Sequence, residues 1–342
     1  MLLQLPGEIR NMIYSYLFTS TRLTFGYRII GRKIKRMKPA PNSLAILRTC
    51  SLINQEAGGL WLGQVLFNFF NPEDMLSKLS VLPLTTLSQI RHVRVGGDPV
   101  VLTTIDDEYD QDVYYRLVWI VKLLPALCLD TLTVLGPSSS KGLIAYDTLG
   151  GLIRHANGWK ELHFITRNSE MLGFKKKDLL MADPYWRRPQ PSTWQEILIQ
   201  RDGLDSGASV IIYRSTQSDA PGTVLKPETR QRFEQKPPPS PEDLEMFGVE
   251  EDKQLLDRNE KGKELLVVVK RGHQAHILEQ VDPAHFHEQD IRHWALDMTW
   301  TEIRRQCLQY HPRTDDGSVG NSENTEADRY DGVEEWNPAN YR

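Results

Sequence analysis

Three short stretches share one apolar alternation of the form L-x-x-L-x-V: Ile90-Arg91-His92-Val93-Arg94-Val95, Leu129-Asp130-Thr131-Leu132-Thr133-Val134-Leu135 and Trp159-Lys160-Glu161-Leu162-His163-Phe164-Ile165. A period of two puts every second side chain on the same face of a strand. The second and third stretches each follow a helical pattern, Asp112 to Leu124 and Tyr146 to His155. Strands joined through a helix are joined by a crossover, and a crossover links parallel neighbours. Residues 90–95, 129–135 and 159–165 are therefore expected to be neighbouring parallel strands with helices on one face. That confines the middle of the chain to a βα layer.

The separations, 39 residues from Ile90 to Leu129 and 30 from Leu129 to Trp159, are uneven. With that spacing the region resembles an irregular leucine-rich-repeat-like layer lacking the asparagine ladder of regular repeats. Val210 to Arg214 and Glu264 to Arg271 add β-branched strands. Between them, Pro221, Pro227, Pro237, Pro238, Pro239 and Pro241 remove backbone donors, so 217–262 reads as a flexible insertion with a short helix from Glu242. Ile291, Trp294, Ala295, Met298, Ile303 and Cys307 fall in helical phase and predict a final helix over 284–310. Residues 312–342 are rich in Asp, Glu, Asn and Gly and read as a disordered acidic tail.

Pro6 suits a first helical turn and Glu8 complements the positive helix end, so a helix begins near residue 6. Ile9, Met12, Ile13, Tyr16 and Leu17 share one of its faces. A second helix is expected from Ser43 as N-cap, with Leu47, Cys50, Ile53, Ala57 and Leu60 along its buried stripe and Gly58-Gly59 weakening its end. Val65 to Phe70 reads as an extended piece packed over both. Between the helices, Arg22 to Pro41 holds seven basic residues (Arg22, Arg28, Arg32, Lys33, Lys35, Arg36, Lys38) and no acidic one. Alternation over Leu23 to Ile29 and a turn at Gly31 predict a two-stranded hairpin, read either as a solvated insertion or as a phosphate contact.

Over 342 residues, 40% hydrophobic and 25% charged content supports a sizeable core, and 41 Lys+Arg against 45 Asp+Glu leaves a net charge of −4. So small a charge points to no polyanionic partner at whole-chain level, and nucleic acid is not expected. Cys50, Cys128 and Cys307 have no C-x-x-C spacing, which supports neither a disulfide framework nor a zinc cage. The longest apolar run, Leu117 to Leu129, is interrupted by Lys122 and Pro125 and is too short to span a bilayer. Met1 to Phe18 lacks a basic n-region and carries Glu8 and Arg10, unlike a signal peptide. A cytoplasmic or nuclear location is expected, with no membrane partner.

Catalytic patterns fail one by one. Gly136-Pro137-Ser138-Ser139-Ser140-Lys141-Gly142 places lysine before glycine, not between glycine and a hydroxyl as a phosphate loop requires. His287-Glu288 begins like H-E-x-x-H, but the fifth position is Ile291, so no second histidine arrives one helical turn later. Gly203-Leu204-Asp205-Ser206-Gly207 carries aspartate where a serine nucleophile belongs. No enzyme activity, cofactor or metal is expected. Tyr185, Trp186, Arg187 and Arg188, between prolines, are aromatic and arginine residues of the kind that anchor interfaces, or else tie a proline-rich loop to the domain edge.

Leu5-Pro6-Gly7-Glu8-Ile9-Arg10-Asn11-Met12-Ile13-Tyr14 resembles the L-P-x-E-[IL]-R-x-x-I-Y signature of a large fungal F-box-like family. Leu47 to Ala57 is similar to that family's L-x-R-x-C-R-x-I-x-x-E-A segment, with Ser51 in place of the usual arginine. Phe67-Asn68-Phe69 resembles its closing N-x-F-x-F, although Trp61-Leu62-Gly63 departs from the aromatic-Tyr-Gly/Ser common there. The resemblance covers roughly residues 2 to 70. It implies a helical module that docks an adaptor subunit of a cullin-type ubiquitin ligase while the remainder recruits an unknown protein substrate. Leu3, Leu5, Pro6, Ile9 and Ile13 would face the adaptor, or, if the module is purely structural, form the seam between its two helices. Tyr185 to Arg188 would belong to the recruiting part. The expected fold is α+β or α/β: an F-box-like module over 1–75 with a basic insertion at 20–41, then an irregular leucine-rich-repeat-like domain over 76–311, broken by the 217–262 insertion. The expected function is a non-enzymatic interaction adaptor, with a nucleic-acid-associated protein using 22–38 as the alternative.

Overall fold

The computed structural model describes residues 2–30, 33–40, 42–104, 112–137, 142–173, 189–235, 255 and 257–308. The first half of the chain runs α1 (Gly7–Thr19), β1 (Arg22–Ile30), β2 (Lys33–Met37), α2 (Ser51–Ala57), β3 (Leu66–Phe69), α3 (Pro72–Leu79), α4 (Leu84–Leu87), β4 (His92–Gly96), β5 (Val100–Thr104), β6 (Asp112–Tyr115), α5 (Leu117–Ile120) and β7 (Leu129–Leu135). The second half runs α6 (Gly142–His155), β8 (Trp159–Thr166), α7 (Glu170–Gly173), α8 (Ser192–Asp202), β9 (Ser209–Ser218), β10 (Arg230–Phe233), α9 (Arg258–Lys261), β11 (Lys263–Lys270), α10 (Trp300–Gln306) and β12 (Cys307–Leu308).

The fold is mixed α/β. Among the described residues nine strands form one sheet in the order β10-β9-β11-β8-β7-β4-β3-β1-β2, and β12-β5-β6 form a second. Strands β8, β7, β4, β3 and β1 are parallel, with antiparallel strands on both flanks. The three alternating stretches are β4, β7 and β8, neighbouring and parallel as expected. One face of the sheet presents Leu23, Phe67, Phe69, Val93, Val95, Leu132, Val134, Leu162, Phe164 and Val267 to a core that also takes Tyr14 and Phe18 of α1, Ile53 of α2, Met75 of α3, Leu149 of α6 and Trp194 of α8. The helices thus share one side of the sheet. On the opposite side Thr24, Asn68, Arg94, Thr133 and His163 stand side by side in register across the five parallel strands. Asn68, Arg94, Thr133 and His163 in that row are fully buried. Arg94 Nε donates to Asn68 Oδ1 at 2.7 Å, and Asn68 Nδ2 to Thr24 Oγ1 at 3.2 Å, so these three polar groups of the row are held by one another.

Several expectations are corrected. Val65 to Phe70 is not a cover over two helices: its centre is β3, buried on both faces between β1 and β4. Because β1 and β3 lie in the same sheet as β4, β7 and β8, the expected boundary at 75/76 crosses a continuous sheet and a shared core. The second helix starts at Ser51, not Ser43, because Cys50 adopts an extended backbone and separates α2 from a 3-10 turn at Ala45–Arg48. Asp112 to Tyr115 is a strand rather than the start of a helix, consistent with its Val113-Tyr114-Tyr115 run.

The 217–262 insertion is structured at both ends. Ser218 closes β9, and Phe233 of β10 pairs with Ile212 of β9. Glu264, buried, accepts from the backbone N–H of Gly222 and Val224 and so fastens the loop between β9 and β10. Residues 236–254 and the 312–342 tail lie outside the described residues. The long final helix is replaced by 3-10 turns at Pro283–His285 and Ile291–His293, then α10. Asp282 and Asp290 accept from the backbone N–H of Ala284 and Arg292, local bonds that compete with helix extension. Among the described residues no helix is long and apolar enough to cross a membrane.

Candidate functional site

Helix α1 carries two apolar faces. At 100° per residue Ile9, Met12, Ile13 and Tyr16 occupy an arc of about 100°, with Tyr14 and Phe18 on the opposite side; Leu5 lies just before the helix. Tyr14 and Phe18 are buried in the core. The other face points to solvent: Tyr16 is 79% exposed, Met12 67% and Ile9 42%, and Leu3, Leu5, Pro6 and Ile13 are exposed as well. The stripe read from the sequence is thus the outer one, and Leu3, Leu5, Pro6, Ile9 and Ile13 do not form the seam with α2. Leu52 of α2 is also exposed.

The seam is polar. Arg10 grips both carboxylate oxygens of Glu56 in α2, with its Nε at 2.9 Å from Oε2, and the Tyr14 hydroxyl donates to the same Oε2 at 3.1 Å. The Arg10 bond holds the Glu56 carboxyl below its ordinary range, so the pair stays ionised at neutral pH. Such a fork fixes α1 on α2 without using the outer face. The hairpin β1–β2 brings Arg36 and Lys38 to a cavity of about 560 Å³ that Lys78, Arg304, Glu73 and Asp74 also line. Its basic bias in sequence is diluted there by the two acids. Tyr185, Trp186, Arg187 and Arg188 lie outside the described residues.

A second site left no motif. Lys122 after α5, Arg154 and His155 at the end of α6, Arg201 and Asp202 at the end of α8, Arg271 after β11, and Glu279 and Arg292 from the segment before α10 line one cavity of about 290 Å³. Lys122 donates to Glu279 at 2.8 Å and to the His155 carbonyl at 2.8 Å. Arg292 binds Asp290 at 2.8 Å and Glu279 at 3.3 Å. Arg271 forks Asp202, at 2.7 Å to each oxygen, and Gly272 N–H donates to Asp202 as well. Arg201 donates to Ile153 O at 2.7 Å and to Ala156 O and Asn157 Oδ1 at 2.6 Å, closing the C-terminal turn of α6.

Rings complete the wall. Trp119 stacks on His155 and on His287 at 5.6 and 5.0 Å, and Arg292 lies 3.9 Å over Phe286. Burial, then the nearby His287, Arg154, Lys122 and Arg201, push His155 down to about 4, so its imidazole is neutral at pH 7. The only sequence hint was Lys122, the one charge inside an apolar run. Its farthest bonded partner, Glu279, lies 157 residues away. Among the described residues no group of His, Cys, Asp and Glu side chains is arranged to hold a metal. Comparison of the chain with protein-family models, with curated proteins and with solved structures gives no match.

Proposed function

We propose that the chain is a non-enzymatic interaction adaptor that docks through the outer face of α1, with an adaptor subunit of a cullin-type ubiquitin ligase as the partner. The observation that carries this reading is the solvent-facing row Ile9, Met12, Ile13 and Tyr16, with exposed Leu5 just ahead of it, on a helix whose opposite face is already committed to the core. Apolar side chains repeated at i, i+4 and i+7 on one helix are what a hydrophobic groove on another protein recognises. Contiguous exposed apolar area of this kind is uncommon on a monomer without a partner. The Arg10–Glu56–Tyr14 clamp lets the helix present that row without being freed from the fold. The F-box-like signature over residues 5–14 supplies the identity of the partner, and the remainder of the chain would recruit the substrate.

The test is Ile9→Asp. Binding to a purified ligase adaptor subunit, followed by interferometry, is expected to be lost. Stability should change by about 0.5 kcal/mol or less, as for other exposed substitutions. Tyr16→Ala should weaken binding in the same way. If wild-type protein shows no affinity for the adaptor subunit, the ligase reading fails.

A further inference from the structure

We propose that the cavity between the ends of α6 and α8 and the 271–292 segment binds a small phosphate monoester, with its phosphate on Arg201 in the field of Arg154 and its organic group along His287 and Phe286. The charge balance carries the argument. Five cations line the cavity: Lys122, Arg154, Arg201, Arg271 and Arg292. Asp202 is committed to Arg271, and Glu279 with Asp290 to Lys122 and Arg292, which neutralises three of them. Arg201 and Arg154 have no carboxylate partner among the described residues. The α6 carbonyls that Arg201 meets carry a partial charge of about −0.5 at most, so the surplus approaches two positive charges. A phosphate monoester holds between about −1.5 and −2 at pH 7, whereas a carboxylate holds one.

The geometry is set in advance. Three of the roughly five guanidinium donors of Arg201 are taken by fixed oxygens, which locks the plane of the fork and leaves the rest for a ligand. Donors held this way lose little freedom on binding. A volume of about 290 Å³ suits a small metabolite-sized ligand. Burial is the first cause of the depressed His155 and of an Arg201 lowered to about 10; nearby cations add to both shifts, and Asp202 and Glu279 oppose that of Arg201.

The experiment titrates the full chain with phenyl phosphate, inorganic phosphate and benzoate by calorimetry and follows melting temperature in parallel. Phenyl phosphate is expected to bind with Kd below about 1 mM, inorganic phosphate more weakly and benzoate weakest, all declining with salt. Arg154→Glu reverses an exposed charge at the rim and should lower phenyl phosphate affinity at least about tenfold, with a small drop in melting temperature because an acid in the last turn of α6 opposes the helix dipole. Arg201→Lys keeps the charge but removes the fork, and should weaken binding several-fold; if it unfolds α6, the Arg154 variant still decides. The proposal is overturned if the wild type shows no saturable binding up to about 10 mM phenyl phosphate, if benzoate binds as tightly, or if Arg154→Glu binds like the wild type.

Discussion

Single side chains in this molecule are pulled away from their ordinary chemistry by where the chain puts them, and Asp74 is the clearest case. It sits in the first turn of α3, below an Asn71 cap that accepts its backbone N–H. Burial, then the neighbouring Glu73, raises its carboxyl to about 6 despite the opposing Tyr27 N–H, Asn71 and Arg36. The native state therefore keeps a proton on Asp74 that the unfolded chain loses near 3.8. Its contribution to stability is present below 3.8 and is lost as pH rises from 3.8 through 6. Asp74→Asn removes that loss. At pH 7.5 it should be more stable by about 1 kcal/mol, a figure reduced from the full shift because Asp74 is only partly buried, and near pH 4 it should match the wild type. Urea denaturation at the two pH values separates the outcomes, and an equal effect at both would remove the burial account.

Elements show where a linear pattern is enough and where a local bond overrides it. Strands β4, β7 and β8 were legible because their apolar alternation coincides with burial over the C-terminal part of each strand. The last helix was misplaced because apolar phase over 284–310 took no account of the side chains that end and begin helices. Thr299 bonds the Glu302 N–H and Glu302 bonds back to Thr299, a capping box written in the sequence as Thr299-Trp300-Thr301-Glu302. Thr299→Ala should cost about 1 kcal/mol, read by denaturant unfolding with the buried Trp300 as reporter. A cost near zero would mean that packing of Trp300 and Ile303 alone fixes α10. For α1 the opposite error was open: its stripe was visible, but periodicity reports only that a face is apolar. Tyr14 and Phe18, two aromatic residues four apart, were the sign of the inner face.

At the scale of the whole molecule, legibility fell with sequence separation. The pairing of β1 with β3, Leu23 opposite Phe67, has no signal at either segment beyond ordinary strand propensity. The 290 Å³ cavity draws on the ends of α5, α6, α8 and β11, each of which looks like a routine terminus by itself. One feature of the sheet also bears on how the protein is made. β11 lies between β8 and β9, with Leu265 opposite Thr166 on one side and Val267 opposite Ile212 on the other. Until residues 263–270 leave the ribosome, the nascent chain holds two unsatisfied strand edges, that of β8 from Thr166 and that of β9 from Ser218. Such edges template association with other chains, and closing distant pairs is slow. A chain ending at Gly262 should therefore form aggregates on refolding that the full chain avoids, as light scattering would register, and recovery on adding the 263–308 segment in trans would mark β11 as the strand that ends the hazard.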